Sequence, residues 1–455
     1  MTFEITNPAN GERVETYEPH DEAAVEATLT SAAEAFGDWA DQSIESRQKL
    51  AAALSPILHQ QKHEFAQLMA REMGKPVDQG TSEIEKCAWL CEYYAERAVE
   101  HLQDERIGTE PGVESYVGYE PLGPVLAIMP WNYPFWQAFR FAVPALTAGN
   151  AVVLKHSPTT FGCADAIIEI FESAGYPEEL IQSVRIETDR VEKMIADDRV
   201  RAVTLTGSTR AGSAVAEIAG RHIKHTVLEL GGSDPYIVLD DADMNAAVET
   251  AVAARTQNSG QSCIAAKRLF VHTDLYENFL REFIDGMTEL SVGDPLTATT
   301  EIGPQARADL IETLHTQVQS SIDAGATLRC GGAPLDRKGF YYPPTVLTDV
   351  PPDCPARTEE LFGPVATVVE VESEREAIEA ANDTDYGLSA SIWTEDRERG
   401  RHVAERIEAG AVYINEMSKS DPRVPFGGIK SSGYGSELSR HGIREFTNTK
   451  TYWIQ

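Results

Sequence analysis

Ala202-Val-Thr-Leu-Thr-Gly-Ser-Thr-Arg-Ala-Gly212 opens as a short apolar and β-branched run, turns on a glycine and closes as the start of a helical pattern. A continuous apolar run of that length suits a strand covered on both faces. A glycine-led turn into a helix N-terminus leaves backbone N–H groups free to meet a phosphate. The spacing is neither G-x-G-x-x-G nor a P-loop, so by itself it is a weak signal for a dinucleotide. Similar runs lie upstream at Val125-Leu-Ala-Ile-Met129 and Ala151-Val-Val-Leu154, with helix-like segments near 163–174 and 189–196. Strands alternating with helices at this spacing predict a parallel α/β sheet. A second series follows at Pro235–Leu239, Arg268–His272, Ala366–Glu370 and Ala411–Asn415, again with helices between. Two α/β units are therefore expected, joined near Gly231-Gly232. Residues 20–105 read as helices rich in Ala and Glu, such as Glu83 to Leu102.

The chain has 455 residues, enough for two or three domains of about 150 each. Hydrophobic residues at 42% and charged residues at 24% are ordinary for a soluble globular protein. The net charge of −33 is not ordinary. It repels phosphate backbones and argues against nucleic acid as a partner. Only 12 of the 39 basic residues are Lys, and with the abundant Asp and Glu this resembles a halophile's solvated surface. The six cysteines show no C-x-x-C pair and no zinc spacing, so neither a disulfide framework nor a metal site is expected. Reduced thiols suit a cytoplasmic location, and the opening Met1-Thr-Phe-Glu-Ile5 has no basic or apolar leader pattern. The most apolar stretch, Gly123 to Leu146, holds four prolines together with Asn132 and Arg140, and is unsuited to crossing a membrane.

Cys263 follows the small and polar residues Gln257-Asn-Ser-Gly-Gln-Ser, and a helix-like run is expected after it. A helix N-terminus there would favour the thiolate; a small buried hydrophobe is the alternative. Glu229, in Val227-Leu-Glu-Leu-Gly-Gly232, is an acid inside an apolar strand. Apolar surroundings raise a carboxyl pKa toward the range useful for a general base; an exposed strand-end acid is the alternative. Asn132 stands between two prolines in Met129-Pro-Trp-Asn-Tyr-Pro134, at a strand end where α/β sheets bind ligands. Its amide is either an oxyanion donor or a turn residue. Lys155 follows an apolar strand and is a candidate for a ribose or phosphate. Glu360, in Glu359-Glu-Leu-Phe-Gly-Pro364, is a second acid beside an apolar turn. The C-terminal Thr449-Lys-Thr-Tyr-Trp-Ile-Gln455 needs a partner edge. With Ser115–Glu120 it forms either a protruding β-flap between subunits or padding on the protomer's own sheet.

Six motifs occur in order along nearly the whole chain: Pro130-Trp-Asn-Tyr-Pro134, Gly207-Ser-Thr-Arg-Ala-Gly212, Leu228-Glu-Leu-Gly-Gly232, Gly260-Gln-Ser-Cys263, Glu360-Leu-Phe-Gly-Pro364 and Pro425-Phe-Gly-Gly-Ile-Lys430. Together they resemble the aldehyde dehydrogenase superfamily. Leu154-Lys-His-Ser-Pro158, Leu230-Gly-Gly-Ser-Asp-Pro235 and Gln257–Cys263 resemble its short NAD(P)-dependent succinate semialdehyde dehydrogenases. The resemblance implies an α/β fold with a Rossmann-like NAD(P)-binding domain (1–114 and 138–231), an α/β catalytic domain (232–430) and an oligomerisation flap (115–137 and 431–455). A homodimer or homotetramer is implied with it.

The resemblance also implies site roles. Cys263 is the nucleophile, Asn132 and the Cys263 N–H hold the oxyanion, and Glu229 is the base that activates water. Gly207 and Ser208 meet the pyrophosphate, Lys155 the adenosine ribose and Glu360 the nicotinamide ribose. Trp131, Gly212, Leu230 and Phe362 complete the cofactor site. Relatives restricted to NAD often carry Glu three residues after the lysine; this chain has Pro158, preceded by Ser157, so NADP or NAD is expected, with some NADP preference. Arg140, eight residues beyond Asn132, matches a carboxylate-binding Arg of the subfamily, with Trp136 as a wall and Ser420 as a further donor. Gln257 stands where some relatives have a second Arg, and Arg255 falls on another helical face, which puts a two-arginine clamp in doubt.

Overall fold

The apolar runs become neighbouring strands. The structure, a computed structural model, describes residues 2–455. One six-stranded sheet runs in the order Gly433–Tyr434, His225–Glu229, Ala202–Thr206, Pro124–Met129, Ala151–His156, Ile181–Ser183. All its pairings are parallel except that of Gly433–Tyr434 with His225–Glu229. Ala202–Thr206 and Ala151–His156 are buried along their whole length, because helices cover both faces of the sheet.

The second series lies in a seven-stranded sheet, ordered Thr327–Cys330, Thr345–Thr348, Val365–Val371, Ala266–His272, Asp234–Val238, Ser389–Trp393, Ala411–Ile414. Only its first pairing is antiparallel. The chain passes from one sheet to the other through Leu230–Ser233, where the two units were expected to join. The expected helical stretch 20–105 is three helices: Glu22–Ala40, Ile44–Met73 and Val77–Leu102. Ser43 caps the second by accepting the Ser46 N–H, and Gly74 ends it at φ +82°, a left-handed turn that glycine adopts without strain. Among the described residues, no helix is long and apolar enough to cross a membrane.

The third sheet has three antiparallel strands, Thr447–Ile454, Glu114–Pro121 and Glu105–Arg106. Tyr116 and Tyr452 stack across it with ring centroids 4.5 Å apart. Its composition corrects the flap boundaries. Pro124–Met129 lies inside the six-stranded sheet between two parallel neighbours, so 115–137 is too long a range for a flap. Gly433–Tyr434 joins that sheet as well, and Ser439–Glu445 packs on Val77–Leu102 and Pro134–Ala148. Gly123, φ +133°, stands between the strands Glu114–Pro121 and Pro124–Met129, so two strands nearly contiguous in sequence serve different sheets.

Candidate active site

Cys263 is not followed by a helix. A short 3₁₀ turn, Gln257–Gly260, precedes it, and a turn leads directly into the strand Ala266–His272. The expected helix dipole is therefore absent, and burial pushes the thiol up to about 12. Lys267 and Arg140 oppose that shift, in that order. The helix expectation failed because Ile264-Ala-Ala266 suits a turn and a buried strand as well as a helix.

The loop before the thiol is strained and held from all sides. Asn258, Ser259 and Gly260 have φ of +52°, +56° and +75° in succession. Such geometry persists only where the surroundings over-determine it. The Asn258 N–H donates to Gln79 Oε1 at 2.6 Å, and its Nδ2 donates to the Asn132 and Gln261 carbonyls. The Gly303 N–H donates to Ser259 Oγ and the Ala306 N–H to Gln261 Oε1, both at 2.9 Å. Arg255, fully buried, donates to the carbonyls of Gly260, Leu361 and Gly363. It is a staple for the loop and does not reach toward a substrate. Lys267 Nζ donates to the Ser262 carbonyl at 2.9 Å and to that of Cys263 at 2.7 Å.

Asn132 lies in the bend between the strand Pro124–Met129 and the helix Pro134–Ala148, and faces this loop. Its Nδ2 donates to the Gln261 carbonyl at 3.1 Å, which leaves the second amide hydrogen free, and the Cys263 N–H has no acceptor among the described residues. Glu229 is the last residue of His225–Glu229. It is 2% exposed, and neither carboxyl oxygen has a hydrogen-bond partner among the described residues. Burial, and then the nearby Glu437, raise its pKa well above the ordinary carboxylate range. Gly427 packs on it so closely that an added Cβ would stand 3.3 Å from Oε1. Gly427 of the Pro425–Lys430 motif thus packs on Glu229.

On the cofactor side, Gly207 follows the strand Ala202–Thr206, and Ser208 caps Thr209–Arg221 by accepting the Ala211 N–H. Gly212 lies against Leu230, where a Cβ would come within 2.4 Å of a Leu230 methyl, so helix and strand approach as a dinucleotide site requires. Lys155 falls inside Ala151–His156, with no hydrogen-bond or ion-pair partner among the described residues. It is 8% exposed, and burial lowers its pKa. Ser157 accepts the Thr159 N–H and keeps its own hydroxyl hydrogen. Glu360 accepts the Gly232 N–H at 3.1 Å and lies 3.7 Å from Lys267 Nζ. Phe362 meets Trp131 edge to face, with ring centroids 5.7 Å apart. An unpartnered buried cation, a capped helix start and a glycine-tight strand–helix contact fit a nicotinamide dinucleotide.

Cys263 opens into a cavity of about 650 Å³ whose walls include Tyr133, Trp136, Arg140, Ser420 and Phe426. Arg140 is brought there by the helix Pro134–Ala148. It forms a buried ion pair with Glu437 and stacks on Phe426, so its charge is already balanced within the protein. The neutral Gln257 also lines the cavity.

Three other contributors emerge only from the folded chain. Glu83 accepts the N–H groups of Phe135 and Trp136, closing the start of the helix that carries Arg140, and pairs with buried Lys75. His156 Nδ1 accepts the Ser157 N–H, so the proton sits on Nε2, which donates to the Pro134 carbonyl at 3.0 Å. Lys86 lines the cavity and donates to Ser420 Oγ at 2.7 Å. An acid or a lysine at helical spacing reads as solvated surface, so neither Glu83 nor Lys86 carried a sequence signal.

Residues 1–452 match the aldehyde dehydrogenase family. A probable NADP-dependent succinate-semialdehyde dehydrogenase of Synechocystis sp. is 49% identical, with both chains fully covered. The NADP-dependent succinate-semialdehyde dehydrogenase of Mycobacterium avium is 47% identical over all of this chain and 97% of its own. The crystal structure of succinic semialdehyde dehydrogenase from Streptococcus pyogenes, in complex with NADP+, superposes with a TM-score of 0.97 at 34% identity over 99% of each chain.

Proposed function

The chain belongs to the aldehyde dehydrogenase family, and from that premise we propose that it oxidises succinate semialdehyde to succinate, with NADP as the preferred hydride acceptor and NAD as a second. The observation that supports this best is a single cavity lined by both Cys263 and Arg140, with a buried Glu229, unpartnered among the described residues, near enough to feel the Arg140 charge. The Cys263 thiol gives its proton to solvent, the thiolate sulfur attacks the aldehyde carbon, and the carbonyl π electrons move to oxygen. The free Asn132 amide hydrogen and the Cys263 N–H receive the oxyanion. A bound nicotinamide dinucleotide supplies the acceptor for the aldehyde hydride; Gly207, Ser208, Lys155, Ser157 and Glu360 would hold it. The acyl group is then a thioester, which water can cleave because sulfur gives it little resonance stabilisation. Glu229, once deprotonated, takes a proton from that water, and the acid and the thiol are released.

The same proposal includes a cofactor unit built on the six-stranded sheet, a catalytic unit on the seven-stranded sheet, and pairing of protomers into a dimer or tetramer through the exposed edge Thr447–Ile454. A cytoplasmic location and a salt-adapted surface belong with it. Absorbance at 340 nm with succinate semialdehyde, run separately with NADP and NAD in molar potassium chloride, is the direct test. Rapid reduction that disappears in Cys263→Ala is the expected result, faster with NADP. Turnover of neutral aldehydes alone would discard the substrate and keep the reaction class, and exclusive use of NAD would discard the cofactor preference.

A further inference from the structure

On the footing of succinate semialdehyde as the substrate, we propose that Lys86 is a second cationic anchor for the substrate carboxylate, acting with Arg140 and Ser420, and that it sets the preference for acidic over neutral aldehydes. Four cationic side chains line the cavity: Lys75, Lys86, Arg140 and Lys419. Three of them already face a carboxylate within the protein. Lys75 pairs with Glu83, Arg140 with Glu437, and Lys419 with Glu416 at 2.7 Å. Lys86 alone has no carboxylate within ion-pair distance among the described residues. The acid one turn before it, Glu83, is committed to Lys75 and to two backbone N–H groups.

What Lys86 does touch leaves its charge uncompensated. One N–H is given to Ser420 Oγ at 2.7 Å, and the ammonium lies 4.4 Å above the Trp136 ring. Neither contact supplies a full negative charge, and two donors remain. Asp78, Glu249 and Glu301 also line the cavity but are exposed to solvent. The surplus positive charge facing the interior is therefore carried by Lys86, and a carboxylate arriving with the substrate restores balance while accepting charge-assisted hydrogen bonds. Arg140 can turn toward the same carboxylate only by sharing its guanidinium with Glu437.

A pH signature accompanies this geometry. Burial and then the Arg140 charge bring Lys86 down to about 8, against Glu83 and Cys87 on its own helix and Asp421 on the loop leading to Phe426. The anchor should weaken as pH rises through that value.

The test compares succinate semialdehyde with butanal, of equal chain length and without the carboxylate, using the intact enzyme with NADP. The ratio of the two kcat/KM values is taken within each protein, so the folded fraction and the shared thiol and Glu229 titrations cancel. Lys86→Met should lower the ratio by about tenfold or more, through KM for succinate semialdehyde. Lys86→Arg should stay within about threefold of the parent, since it keeps charge and donors. Between pH 7 and 9 the parent's ratio should fall while that of K86M stays flat. A parent-like ratio in K86M, or the same pH-dependent fall, overturns the role of Lys86 alone. A parent enzyme with no preference for the acidic aldehyde overturns the substrate assignment as well, and the two failures are distinct.

Discussion

Asn132 keeps one amide hydrogen free because the other is bound to the Gln261 carbonyl, which also fixes the orientation of the side chain. Asn132→Ala should lower kcat about 10²–10³-fold, about 3–4 kcal/mol of transition-state stabilisation, with the KM for NADP nearly constant. A kcat close to that of the parent would remove Asn132 from the oxyanion site. Burial raises the pKa of both Cys263 and Glu229, and the proposed reaction uses both in the basic form. Activity should therefore climb from pH 6 toward pH 9, and an acid optimum in kcat/KM would contradict that. Glu229→Gln leaves acylation possible and stops hydrolysis, so rapid-mixing absorbance should show a single-turnover burst of NADPH and little thereafter. The same substitution bears on stability. The folded carboxyl titrates above its unfolded value, so the native state retains a proton that the unfolded state releases. Its stabilisation is complete below the unfolded pKa and is lost as pH rises through the folded one. The Tm of E229Q should thus exceed the parent's by a margin that widens with pH, and a constant margin in calorimetry would show that the carboxyl is not titrating as described.

At the scale of elements, the helix Pro134–Ala148 has no side-chain cap of its own and is closed by Glu83 from another helix, 52 and 53 residues away in sequence. That carboxylate also balances Lys75 in a pair that is 1% exposed on both sides. Removing one member of a buried pair leaves the other charge stranded. Glu83→Ala should cost about 3–5 kcal/mol in denaturant unfolding; a loss near zero would mean that water reaches Lys75. The strained Asn258–Gly260 turn makes a similar point, since a Cβ on Gly260 would come within 2.3 Å of Gly363. Local sequence marked this loop as glycine-containing and polar. It could not show that Gln79, Asn132 and Gly303 converge on it, because those contacts span more than 40 residues.

At the scale of the whole molecule, a net charge of −33 spread over 455 residues destabilises the compact state by self-repulsion. Salt screens that repulsion within about 10 Å at 0.1 M and within about 3 Å at 1 M. The Tm should rise steadily as potassium chloride increases from 0.1 to 2 M, and a flat scan would leave the surface merely acidic. Two largely parallel sheets, the order in which their strands appear and Cys263, Asn132 and Glu229 as the candidate residues were legible in the chain itself. The reason is that apolar runs, glycine turns and motif spacing are local properties, set by backbone sterics and hydrophobic periodicity. Tertiary structure alone decided that no helix follows Cys263, that Arg140 is matched by Glu437 and that Lys86 has no carboxylate partner among the described residues. Charge balance and desolvation depend on which distant groups share a low-dielectric space, and sequence neighbours do not encode that.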